Sequence, residues 1–228
     1  MESWRYLVFW FQSVEVRTPL GSAFAILPIV IVSSFCAAIA PIIVSKFGRL
    51  KYIVSFGWLI AAIGTGLVST LTAQSSSAQQ DGFQVVEGIG MGILFTTLQL
   101  ACQASQSQEN VGMAVAIFTF IRSFGGTFGV AICGVIFENV FNQIISRRSV
   151  SIPSDYLISG SEAAQFVPML PSIPSSVQYV FRYIYADSLR LVWWVMASAM
   201  ALGFLVSLLA RDISLKGKKV ESVEYGAV

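Results

Sequence analysis

Apolar residues run almost unbroken through five stretches of the chain, 21–45, 52–73, 83–102, 111–140 and 191–210, and polar or charged residues gather between them. A bilayer's hydrocarbon core is crossed by about 20 apolar residues in helical form, so the pattern predicts an all-α, polytopic transmembrane helix bundle. The first two runs carry no charge, and Pro28 and Pro41 are expected to bend the first of them. Residues 1–20 hold only the short run Tyr6–Phe11. They are read as the remnant of a spanning helix and an external loop, with Trp4, Tyr6 and Trp10 suited to the membrane interface. The segment 142–189 is read as a long external loop, interrupted by Pro153, Pro168, Pro171 and Pro174. Within it Val177, Val180, Phe181, Ile184 and Tyr185 follow helical spacing, which predicts an amphipathic helix on the membrane surface or over the mouth of the bundle. Trp193 and Trp194 are expected at interface depth, and residues 211–228 form a polar tail.

The fourth run is unlike the others. Between Ile117 and Phe137 its only charge is Arg122. A cation at the centre of a span costs about 2.5–3.5 kcal/mol on insertion scales, against roughly 0.3–0.6 kcal/mol returned by each Ile, Phe or Val. Insertion survives best if Arg122 faces protein or water. At 100° per residue Arg122 shares a face with Phe118, Gly125, Gly126, Gly129 and Cys133, while Ile117, Phe120, Phe124, Phe128 and Val135 lie opposite. The bulky face suits lipid, and the small face suits close approach of another helix. Arg122 is then either a structural tether to a neighbouring carbonyl or acid, or part of a functional pathway.

In the third run Gly88, Gly92, Thr96, Gln99 and Gln103 recur at helical spacing. A stripe with amides inside a membrane is expected to face protein or a wet cavity, as interhelical glue or as ligand contacts. Glu87 falls about one turn inside the outer boundary, where solvation and a proton-carrying role are both open. Gly88, Gly90 and Gly92 lack the preceding strand and the spacing of a dinucleotide fingerprint, so that reading is rejected.

With 55% hydrophobic and 11% charged residues and a mean hydropathy of +0.74, the chain falls outside the range of soluble domains. A net charge of +2 gives no footprint for nucleic acid, and the lack of histidine removes imidazole triads, relays and the usual zinc sites. No paired aspartates, Ser/Lys dyad or metal-ligand cluster lies in the spans, which argues against an enzyme, a metal or a cofactor. The turn bearing Lys46, Gly48 and Arg49 is basic and the 74–82 loop is not. By the positive-inside rule that turn is cytoplasmic, the 74–82 loop external and the carboxyl terminus cytoplasmic.

Several segments together resemble the carboxyl-terminal half of a fungal major facilitator superfamily transporter of the fourteen-span drug:proton antiporter type. They are Tyr6–Gln12 (YLVFWFQ), Leu27-Pro28, Val44–Lys51 (VSKFGRLK), Gly88–Leu94 (GIGMGIL), Arg122–Ile132 (RSFGGTFGVAI) and Ala186–Trp193 (ADSLRLVW). The superfamily's cytoplasmic turn survives here as a half-motif, Lys46, Gly48 and Arg49, with Pro41 and Ser45 at its first glycine and aspartate positions. The resemblance implies an incomplete second bundle whose first, third and fourth spans line a central cavity, with a missing amino-terminal bundle as partner. It further implies proton-coupled efflux of small amphipathic compounds across a membrane, with the plasma membrane as the default. Arg122, Gln99, Thr96 and Gln103 would contact substrate, and Glu87 would be a possible proton site. The alternative is a non-transporting half-bundle that only associates with another subunit, its small-residue faces serving as assembly surfaces.

Overall fold

The computed structural model describes residues 3–148, 153, 156 and 158–210, so the expected cytoplasmic tail, 211–228, lies outside the described residues. The regular elements described are helical. The short helices are α1 (Ser3–Ser13), α2 (Pro19–Ala25) and α7 (Gly160–Phe166). The long ones are α3 (Leu27–Phe47), α4 (Leu50–Val68), α5 (Ser77–Ala104), α6 (Val111–Arg148) and α8 (Ser175–Leu209). Each long helix is extended and apolar enough to cross a membrane.

Local chemistry explains where several of them start and stop. Thr18 caps α2 by accepting the Gly21 N–H at 3.1 Å, with Pro19 in the first turn where its missing donor costs nothing. Ser76 and Gln79 close a capping box at the start of α5. The α3–α4 turn depends on Gly48, whose φ of 67° is left-handed and whose N–H returns to Val44 O at 2.8 Å. Arg49 then begins α4 with its guanidinium over Tyr52, while Lys46 stays exposed at the end of α3.

Helix α5 packs against α3, α4 and α6; α8 packs against α4 and α6, and α1 lies against α8. Without a hydrophobic drive between helices in lipid, close packing and interhelical hydrogen bonds must hold this arrangement. At the Gln80 end of α5, Phe9, Phe137, Phe141, Phe181 and Tyr185 form a connected ring cluster with centroids 5.2–6.3 Å apart. Such pairs add about 0.5–1.5 kcal/mol each beyond burial. At the Gly48 end, Val44, Leu50, Val54, Ala61, Leu94 and Met200 make a smaller core.

The structure corrects several expectations. Residues 3–13 form a helix packed into the bundle: Leu7, Trp10 and Phe11 are buried and the Tyr6 hydroxyl donates to Val130 O at 2.9 Å. Of the three aromatic residues expected at the interface, Trp4 alone is exposed. Pro28 does not bend a helix, because the chain breaks at Ile26 and Pro28 falls in the first turn of α3; Pro41 remains inside it. The segment 142–189 is not a loop throughout. Helix α6 continues to Arg148, and the Val177–Tyr185 stripe is the first half of α8, continuous with the final span, its apolar side turned into the ring cluster. Trp193 is buried and Trp194 exposed.

Candidate functional site

Arg122 lies partly buried on α6 with its guanidinium carbon 4.0 Å from the centroid of Phe95 on α5. Neither stated partner type, carbonyl or acid, is recorded for it among the described residues; the aromatic face takes that place. A cation over a ring is stabilised by about 0.5–1 kcal/mol when exposed and 2 or more when desolvated. Thr96, Gln99 and Gln103 are half-buried on the same helix as Phe95, and the Thr96 hydroxyl has no hydrogen-bond partner among the described residues. Phe95 itself is 48% exposed. The α5–α6 face is therefore an apolar wall carrying one cation and a few amides and hydroxyls.

The small residues divide differently from the prediction. Gly125 and Gly129 of α6 have nothing within 4 Å of the position a Cβ would take, so no helix among the described residues meets that part of the α6 face. Close approach is built on α5 instead. A Cβ at Gly90 would stand 2.3 Å from Ala61 N, one at Gly92 2.3 Å from Ser33 O, and one at Gly88 3.0 Å from Ile29 O. Gly126 is half-buried. The part of the predicted stripe at Gly88 and Gly92 is thus a packing surface for α3, and of α5 it is Phe95 that meets Arg122. On α6 Ile117, Phe120, Phe124, Phe128 and Val135 are all exposed, and so is Gly125 on the other side.

Glu87 is not solvated. It is 0% exposed, and the Thr65 hydroxyl lies 3.2 Å from its Oε1 and 3.1 Å from Met200 Sδ. Gly64 makes this possible, since a Cβ there would sit 2.4 Å from Glu87 Cα. One turn away Gln84 is also 0% exposed, and neither of its amide atoms has a partner among the described residues; Glu87 Oε2 also lacks one. Each unsatisfied buried group of this kind costs about 1–3 kcal/mol. Gln80, a further turn along, donates to Glu15 and to Ser75 O. Sequence periodicity missed Gln84, Gln80 and Thr65 because it followed the Gly88–Gln103 stripe, whereas Gln80 and Gln84 lie off that stripe on α5 and Thr65 lies on α4. The spacing Gln80, Gln84, Glu87 was the available signal.

An all-helical bundle with five membrane-length helices, glycine-built contacts and isolated polar groups inside is an integral membrane protein of the polytopic class. Its sequence resembles the carboxyl-terminal part of fungal major facilitator superfamily transporters, and its fold is a partial bundle of that kind. The chain is 32% identical over 225 residues to the efflux pump FUS6 of Gibberella moniliformis, covering 97% of this chain and 39% of the pump. It is 33% identical over 220 residues to the MFS-type transporter sphD of Aspergillus fumigatus, covering 94% and 38%, and 29% identical over 225 residues to the MFS-type efflux pump LUC4 of a Fusarium species, covering 97% and 39%. The chain therefore spans about two fifths of the length of the curated relatives it matches. It matches no family profile.

Proposed function

We propose that the chain forms part of an efflux transporter that exports small amphipathic compounds in exchange for protons. The observation that carries this reading is the Arg122–Phe95 pair between α6 and α5, the latter also carrying the half-buried Thr96, Gln99 and Gln103. That α5–α6 wall suits ligands that vary in shape, because few fixed polar groups must be matched. The relatives named as efflux pumps support the direction of transport. The broad exposed surfaces of α3 and α6, including Phe35, Ile39, Ile42, Phe120 and Phe124, support association with lipid and with a further helical bundle, as alternating access requires. In this reading Glu87 is the proton site, away from the substrate wall. The Lys46–Arg49 turn and the carboxyl terminus face the cytoplasm, and the membrane is the plasma membrane.

Expression of the complete protein in an efflux-deficient yeast tests the reading. Wild type lowers the accumulation of amphipathic fluorescent toxins, whereas Arg122→Ala, inserted to the same level, does not. Unchanged accumulation of every compound tested with wild type counts against export and favours the half-bundle that only associates. Wild-type efflux by Arg122→Ala removes the role given to that residue.

A further inference from the structure

The charged residues between Arg17 and Asp81 are Lys46, Arg49 and Lys51, all basic and all at the turn joining α3 to α4. Lys46 and Arg49 are exposed and Lys51 is half-buried, and no ion pair is recorded for any of them among the described residues. Beside the turn lies an open groove of about 430 Å³, lined by Ile43 and Phe47 of α3 and by Arg49, Tyr52 and Ile53 where α4 begins. The Arg49 guanidinium stands 5.7 Å from the centroid of the Tyr52 ring, which holds the cation at the groove. An apolar row runs away from the turn along α3. At about 100° per residue Phe35, Ile39, Ile42 and Lys46 fall within about 60° of arc, and the three apolar members are 66%, 49% and 65% exposed. Ile43, one turn beyond Ile39, joins the row to the groove. At about 1.5 Å rise per residue the row extends roughly 16 Å from Lys46, close to half of a hydrocarbon core of about 30 Å. It is as long as one leaflet is thick.

We propose that the α3–α4 turn binds an anionic phospholipid, with Arg49 and the flexible Lys46 taking its phosphate and the Phe35–Ile42 row taking an acyl chain. Charge and depth select this occupant. Cations with no acid in the chain between Glu15 and Asp81 suit a phosphodiester, as basic pockets at the ends of spanning helices suit acidic headgroups. Phe47 and Tyr52, 64% and 60% exposed at the same turn, suit the boundary between headgroup and acyl chain. A free phosphate would use the cations and leave the apolar lining and the row bare. A neutral lipid would cover the row and leave the cations without a counter-charge. The site requires only that α3 and α4 cross the bilayer, so it stands whether or not the chain transports.

Photolabelling of the full-length protein in phosphatidylcholine nanodiscs tests this. The discs are doped equally with phosphatidylserine or phosphatidylcholine bearing the same acyl-chain diazirine, and adducts on residues 35–53 are mapped by mass spectrometry. A cation near an anionic headgroup is worth roughly fivefold in binding, so phosphatidylserine labels this segment at least about fivefold more than phosphatidylcholine does. Unlabelled phosphatidylserine chases the adducts, and inorganic phosphate does not. The double variant Lys46→Gln/Arg49→Gln lowers labelling by phosphatidylserine roughly tenfold or more and leaves labelling by phosphatidylcholine as it was. Equal labelling of wild type by the two lipids overturns the proposal, by showing ordinary annular lipid. Absence of labelling by either overturns it by showing a face covered by protein, and a chase by inorganic phosphate does so by showing a free-anion site. Undiminished phosphatidylserine labelling in a double variant of intact helicity also overturns it. Where the variant does not fold, the wild-type comparison decides.

Discussion

Replacing Gly90 with alanine should separate α4 from α5, and the structure sets the size of the effect. The new Cβ would stand 2.3 Å from Ala61 N and 2.6 Å from Ala61 Cα, well inside the 3.4 Å at which ordinary contact begins, and both atoms are backbone. No rotamer relieves such a clash, so the two helices must part along their contact. A radial gap of about 0.5–1 Å forfeits a quarter to a half of each dispersion well, and overpacking of this kind costs typically about 1–3 kcal/mol. Alanine returns up to about 1 kcal/mol in helix propensity, leaving a net loss of roughly 2 kcal/mol at the upper end. Gly125→Ala is the matched control: nothing lies within 4 Å of its Cβ, so the propensity gain stands alone and stability is unchanged or slightly higher. Unfolding in mixed micelles titrated with a denaturing detergent, followed by circular dichroism, measures both. Ala61→Gly should not rescue Gly90→Ala, because the clash with Ala61 N and Cα remains. Equal stability of Gly90→Ala and Gly125→Ala, or full rescue by Ala61→Gly, would refute the packing described here.

Two further perturbations act at the Gln80 end. Tyr185→Phe removes the hydroxyl that donates to Ala163 O at 2.6 Å in a buried setting. It should cost about 1 kcal/mol and raise amide hydrogen exchange across α7 while leaving exchange in α3 alone. Arg182 donates to Val14 O and Ala73 O, tying the end of α1 to the loop before α5. Charge-assisted bonds of this kind are worth about 1.5–3 kcal/mol, so Arg182→Ala should lower the unfolding midpoint and speed exchange around Val14 and Ala73, and unaltered exchange at both would dismiss the tie.

Length and hydropathy made the spans legible because the bilayer imposes a minimum run of apolar residues that few other structures need. The exposed side of α6 was legible for the same reason, since Ile117, Phe120, Phe124 and Phe128 share one face by helical period alone. Helix ends were less so. The continuity of α8 from Ser175 through Leu209 was hidden because Asp187 and Arg190 interrupt the apolar pattern, although neither residue breaks a helix. Whether a small face is occupied was not legible at all: Gly125-x-x-x-Gly129 and Gly88-x-x-x-Gly92 read alike in sequence, yet among the described residues only the second meets a neighbour. That outcome depends on which helix arrives, a tertiary fact. Glu87 was misplaced for a related reason. Its distance from the end of the run suggested solvent, whereas Gly64 lets α4 close over it.

The division of labour on α5 follows from its angular positions. At about 100° per residue, Thr96 is roughly half a turn of arc from Glu87, and Gln103 is about 160° from it. One helix thereby presents Glu87 to the buried contact with α4, while on the other side Gly88 and Gly92 close on α3 and Thr96, Gln99 and Gln103 continue the same stripe further along the axis. The glycines on both packed faces hold α3, α4 and α5 at near-backbone distance, so a change at the buried face must be carried by helix movement and not by side-chain rearrangement. Helix α6 is bound to α5 far more loosely, through the Arg122–Phe95 contact and a single Cys102 Sγ to Ala114 O contact at 3.5 Å among the recorded side-chain interactions. A shift of α5 driven from Glu87 would therefore leave α3 and α4 attached and spend itself at the α5–α6 face, where the substrate-contacting residues are proposed to lie.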